Sequence, residues 1–168
     1  MPVHQYVCFV ITSTRTTAQE MTAVLGIEPD ETAVRASRST VPPLPAHHRW
    51  KIVCRRTGLR VDEQVACVLD RLRPHTGRLA ALAGQLDRQE GPGSAVLQVV
   101  RRFHSDNHEP GADLPEEPEG PNLFGWHLDS DVLEFLTTTG AEVDIDEYDM
   151  TGDPHGDGPR HTRRARRP

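Results

Sequence analysis

Lysine is nearly missing from this chain: Lys51 stands alone among 19 lysines and arginines. That bias reads as codon usage in a GC-rich genome more than as chemistry. Aromatic residues are also scarce, at 5%, and apolar content reaches only 36%. Such a composition implies that part of the chain stays outside a packed core. Three cysteines (Cys8, Cys54, Cys67) fall at unpatterned spacing with no CxxC, which argues against a disulfide framework and a zinc site. No apolar run approaches the ~20 residues that a membrane helix needs. The start, MPVHQYVCFV, has no basic region ahead of a long apolar run, so no secretory signal is expected and the cytoplasm is the default compartment. GxSxG, HExxH, GxxxxGK[ST] and GxGxxG are all missing, and GPGS reads as a turn. The common nucleophile, zincin and nucleotide-loop chemistries therefore have no footing in a linear motif.

Carboxylates and arginines are what the chain has instead. Net charge is −6 over 168 residues. From Thr151 onward five arginines (Arg160, Arg163, Arg164, Arg166, Arg167) face Asp153 and Asp157, so the tail is +3 and the body −9. An acidic body does not suit a dedicated nucleic-acid binder. The tail could touch a polyanion weakly, but it lacks interleaved aromatics for base stacking. Length and composition give one domain over residues 1–150 and a flexible basic tail over 151–168.

Periodicity supplies the elements. YVCFVIT (6–12) is apolar on both pleat faces, as in a central strand covered on both sides. A short helix follows, with Thr17 and Glu20 at capping-box spacing and Gly26 as its left-handed stop. Residues 28–47 form a long connection. HHRWKIVCRR (47–56) alternates, with His48, Trp50, Ile52 and Cys54 on one face and Arg49, Lys51, Val53 and Arg55 on the other. Residues 61–86 carry two helical stripes interrupted by Pro74, where a kink or a second helix is expected. SAVLQVVRRFH (94–104) is another strand. The loop 105–122 holds six acids and four prolines and should be solvated. LFGWHL (123–128) reads as a strand, 129–140 as a helix capped by Asp129 and Gly140, and AEVDIDEY (141–148) as the closing strand. The order β-α-β-α-β-β-α-β predicts an α+β two-layer sandwich of ferredoxin-like type.

Three of these segments resemble one family when taken together. They are the first strand and helix ending LGIEPD, the RW of HRWKI with the helix VDEQVACVLDRLRP, and the ending LDSDVLEFLTTTGAEVDIDEYD. In order and spacing they resemble the bacterial family catalogued as domain of unknown function 4279, over residues 5–149. The resemblance places emphasis on Gly26, Pro29, Trp50, Leu72, Gly140, Asp146 and Tyr148. It brings no activity and no cofactor. The acidic loop is longer here than the pattern requires, and the tail lies outside it.

The richest chemistry lies in GAEVDIDEYD (140–149). On a strand, Glu142, Asp144, Asp146 and Tyr148 share one face, spaced about 6.5–7 Å apart. A metal wants oxygens converging at about 2.0–2.6 Å, and a straight strand spreads them. The expected role is a solvated strand face. A sharper reading pairs this row with Arg49, Lys51 and Arg55, directly or through a partner molecule. A second candidate surface joins Arg35 and Arg38, flanking Ser37 and Ser39, with His48 and Trp50, as a site for a small anionic ligand or a protein. Its plain counterpart is a core Trp50 beside solvated arginines. Cys54 and Cys67 read as core thiols.

These readings favour a non-enzymatic binding or regulatory module of unidentified partner, with no cofactor and no membrane role. One version is an immunity-type protein capping a basic toxin by charge; against it, −9 spread over the whole body is not a focused patch. The alternative is a metal-binding protein or hydrolase whose residues converge only in three dimensions, for example His48, His127 and Asp146. A homodimer is the third class, prompted by the doubly apolar first strand.

Overall fold

The computed structural model describes residues 3–36, 45–104 and 124–150. These form β1 (Val3–Ser13), α1 (Ala18–Leu25), β2 (Glu31–Ala33), β3 (His48–Cys54), α2 (Val61–Leu72), α3 (Thr76–Glu90), β4 (Ala95–His104), α4 (Ser130–Thr139) and β5 (Glu142–Met150). Local signals set most boundaries. Thr17 and Glu20 close the capping box on α1, and Gly26 stops it at φ 68°. Asp129 caps α4 through the Val132 N–H at 2.9 Å, and Gly140 ends it at φ 67°. Pro74 lies in a 3-10 turn, Arg73–His75, that separates α2 from α3. Proline has no N–H for the helical ladder, so the long apolar pattern divides there. The acidic loop 105–122 and the basic tail lie outside the described residues.

The strands make one mixed sheet in the order β2-β3-β1-β4-β5. β1 runs antiparallel to β3 and β4, while β4 and β5 are parallel. The α+β class is the expected one, but the strand order differs from a ferredoxin-like sheet. There the parallel strands of each βαβ unit are split by another strand; here β4 and β5 are direct neighbours joined through α4. Two local departures accompany the difference. Residues 124–129 form no strand, and Glu31–Ala33, inside the long connection, pairs with β3. Asp30 starts that pairing. Its carboxylate accepts from the Val53 N–H at 2.7 Å and from Arg71 Nη1 at 2.6 Å, tying the connection to β3 and α2.

All four helices pack on one side. Val7, Phe9 and Ile11 of β1, Trp50 and Ile52 of β3, and Leu97 and Val99 of β4 meet Met21, Leu69, Leu72, Leu79, Leu86 and Phe135 in one core. Each such side chain contributes about 1.5–3 kcal/mol by leaving water. β1 is central, but helices cover only one of its faces. Cys8 and Val10 on the other face are also buried, although no helix among the described residues lies over them. Among the described residues no helix is long and apolar enough to cross a membrane.

The end of α3 is clamped to the loop after β1. Glu90 accepts from Ser13 Oγ, from Thr14 N–H at 2.6 Å and from Thr14 Oγ1 at 2.7 Å. Partial desolvation pushes this carboxyl up, but the Ser13 and Thr14 hydrogen bonds outweigh it and hold it at about 2, below its ordinary 4.5. A carboxyl depressed by folding stabilises the fold above its unfolded value and loses that contribution as pH falls. Wild type should therefore exceed Glu90→Gln in urea midpoint at pH 7. The gap should close between about pH 4.5 and pH 2. An unchanged gap at pH 2.5 would show that the carboxylate charge is irrelevant to the clamp.

Candidate functional site

Strand alternation decides which side chains occupy the helix-free face. From β3 come Arg49, Lys51 and Val53; from β1, Tyr6, Cys8 and Val10; from β4, Val96, Gln98, Val100 and Arg102; from β5, Glu142, Asp144, Asp146 and Tyr148. Cross-strand register orders them in levels. Lys51, Val10, Val96 and Glu142 form one row across the sheet, and Val53, Cys8, Gln98 and Asp144 the next. The face is thus basic along β3, nonpolar in the middle and acidic along β5. A groove of about 240 Å³ runs between Arg49, Lys51 and His47 on one side and Asp144 on the other, over Val10 and Val96.

Three strand spacings of about 4.8 Å put β3 and β5 roughly 14 Å apart, too far for the two rows to pair within one chain. Each row has its own local arrangement instead. Arg55 pairs with Glu31 of β2, and its guanidinium lies 5.0 Å over the Tyr6 ring. Arg49 and Lys51 have no ion pair among the described residues. Gln98 Nε2 donates to Asp144 at 3.2 Å and Asp146 at 3.1 Å, spanning the two carboxylates. Glu147 points to the helix side, where it pairs with the buried Arg101 at 2.7 Å. β5 is also an edge strand of the described sheet, and the charges along it discourage pairing with another chain's strand.

The residues singled out from sequence separate into three places. Asp144, Asp146 and Tyr148 lie on the bare face. Arg35 and His48 come together at one end of the sheet, where the Arg35 N–H donates to His48 Nδ1 at 3.2 Å and Arg35 Nη1 to the Thr14 carbonyl at 3.1 Å. Arg38 lies outside the described residues. Trp50 is fully buried and its Nε1 donates to Thr22 Oγ1 at 3.1 Å, so it anchors the core and offers no surface to a ligand. The trio His48, His127 and Asp146 is dispersed: His127 stands 3.9 Å from Asp62 at the start of α2, and Asp146 is held by Gln98. Among the described residues no three His, Cys, Asp or Glu side chains gather closely enough to hold a metal.

A family model described as domain of unknown function (DUF4279) matches residues 3–150. The chain belongs to the DUF4279 family. No curated protein and no solved structure matched it.

Cys8 and Cys54 of this DUF4279 domain are poor nucleophiles. Burial pushes Cys8 up, and burial together with the Cys67 contact pushes Cys54 up, so both stay protonated near neutral pH. Sequence reasoning missed Gln98 and the arginines Arg56 and Arg102. The signal was present as two Arg-Arg pairs at strand ends, 55–56 and 101–102. Alternation sends Arg101 inward to Glu147 and Arg102 to the bare face. Only pairing of β1 with both β3 and β4 brings Arg55, Arg56 and Arg102 to one place.

Proposed function

We propose that this DUF4279 domain is a non-enzymatic binding module that docks the bare face of its sheet against another polypeptide. A second copy of the chain is the occupant that the face itself specifies. One observation carries the reading: rows of opposite charge flank a nonpolar strip on a face that no helix among the described residues covers, and they lie too far apart to reach each other within the chain.

Two copies stacked face to face need a two-fold axis lying between the sheets. An axis across the strands would set β3 on its own copy, with like charges opposed. An axis along the strands, between β1 and β4, reverses the order and sets β3 on β5. Level by level, Lys51 then meets Glu142 and Arg55 meets Asp146, each twice. The strip of Cys8, Val10, Val96 and Val100 lies over its own copy. The face measures about 24 Å by 25 Å, or roughly 600 Å² per partner, from strand spacing and rise. That is about 1,200 Å² in total, the low end for specific interfaces, so the association is weak and exchanging. An immunity-type role against a basic partner gains less support, because Arg49 and Lys51 share the face with the carboxylates.

Sedimentation of the full chain tests the proposal. The expected result is a monomer–dimer equilibrium that weakens as salt rises from 50 to 500 mM, as screening of exposed charges requires. A monomer at millimolar concentration and low salt would sink it.

A further inference from the structure

A cavity of about 220 Å³ lies where β1 begins, β3 and β4 end and the chain turns toward α2. Arg55, Arg56 and Arg102 line it together with His4, Tyr6 and Gly58, and among the described residues no carboxylate does. Arg55 shares its charge with Glu31 beyond the cavity. Arg102 rests 5.8 Å over the Tyr148 ring, and Arg56 has no ion pair among the described residues. The backbone beneath is fixed: Gln64, fully buried, donates from Nε2 to the Arg56 carbonyl at 2.8 Å. Gly58 turns at φ 77°, and a side chain there would meet nothing within 4 Å, so the wall on that side is low.

Three guanidiniums around one small space repel each other unless an anion joins them. A carboxylate brings one charge and two oxygens. A phosphate monoester brings close to two charges and three terminal oxygens, which suits planar donor forks arriving from three directions. A polyanion is disfavoured by the −9 carried by the body of the chain. Val3 and Leu59 supply apolar wall for an organic substituent. We propose that this cavity binds the phosphate monoester of a small molecule, with Arg55, Arg56 and Arg102 holding its oxygens and the Tyr6 hydroxyl donating to one of them. The site needs no residue from another copy, but Tyr6, Arg55 and Arg102 also lie on the face proposed to dimerise, so the anion competes with Asp146 of a second copy for Arg55 and the titration is run on dilute, monomeric protein.

The test is calorimetric titration of the full chain at low ionic strength with phenyl phosphate, inorganic phosphate and phenol. Saturable one-to-one binding of phenyl phosphate is expected, weaker binding of inorganic phosphate, and none of phenol. Arg56→Gln and Arg102→Gln, both at exposed positions, should each weaken phenyl phosphate by about tenfold, the loss of one charge-assisted hydrogen bond. The Tyr6 ring resonances should shift on titration. Equal binding of inorganic and phenyl phosphate would assign the site to free phosphate and overturn the organic part of the proposal. Undiminished binding in the Arg56→Gln, Arg102→Gln double variant would overturn the site itself and place the anion on the tail arginines.

Discussion

Trp50→Ala is expected to destabilise the domain by about 3–5 kcal/mol, the usual cost of truncating a large buried aromatic. The side chain is fully buried in the middle of β3, packed in the same core as Met21, Leu25 and Leu72. Its Nε1 hydrogen bond to Thr22 ties β3 to α1 across the two layers. Domains of this size are held by about 5–15 kcal/mol, so the variant should be close to unfolding at 37 °C. Trp50→Phe keeps most of the apolar volume and should cost less. Thr22→Ala leaves the buried indole N–H without its acceptor and should cost about 1–3 kcal/mol. In a double-mutant cycle, Thr22→Ala should cost much less when Trp50 is already Phe. Urea unfolding followed by circular dichroism reads all four proteins. Additive effects of Trp50→Phe and Thr22→Ala would mean that the hydrogen bond contributes nothing.

Charge exchange across the bare face should produce the largest change in association. Lys51→Glu alone opposes two carboxylates on each side of the two-fold axis, and Glu142→Lys alone opposes two ammonium groups. Each variant should dimerise about tenfold to hundredfold more weakly than wild type, because two attractive contacts become repulsive. Mixed in equal amounts, the two variants regain opposite charges at both contacts and should form a heterodimer of near wild-type strength. Restoration on mixing separates charge complementarity from general damage to the surface. If neither single variant changes the association, or if mixing restores nothing, the strand-parallel axis is wrong.

Much of this fold was legible in residue order because the signals are local. Thr17 with Glu20, Asp129, Gly26 and Gly140 each act on backbone groups within one helical turn, and the structure uses every one of them. Pro74 broke the long helix for a reason contained in its own ring. No strand forms over the described part of LFGWHL, residues 124–128, because strand propensity describes fitness for a pleated surface and none of the described strands lies alongside to receive it. Glu31–Ala33 was missed for the converse reason: a three-residue strand has no period to detect, and it forms where Asp30 reaches Val53 and Arg71.

The candidate sites followed the same division. Alternation along β3 and β5 correctly sorted basic and acidic rows from their inward neighbours, because the pleat repeats every two residues whatever the strand lies against. It also grouped Trp50 with Arg35 and Arg38 by proximity in the chain, whereas burial removed Trp50 from any surface. From sequence alone came most of the elements, their caps, the faces of the long strands and the family. Tertiary structure decided strand order, the choice of which face goes without helices, the separation that keeps the two charged rows apart, and the meeting of Arg55, Arg56 and Arg102. Those features depend on contacts between residues tens of positions apart, whose free energies are set by the assembled core and not by any one segment.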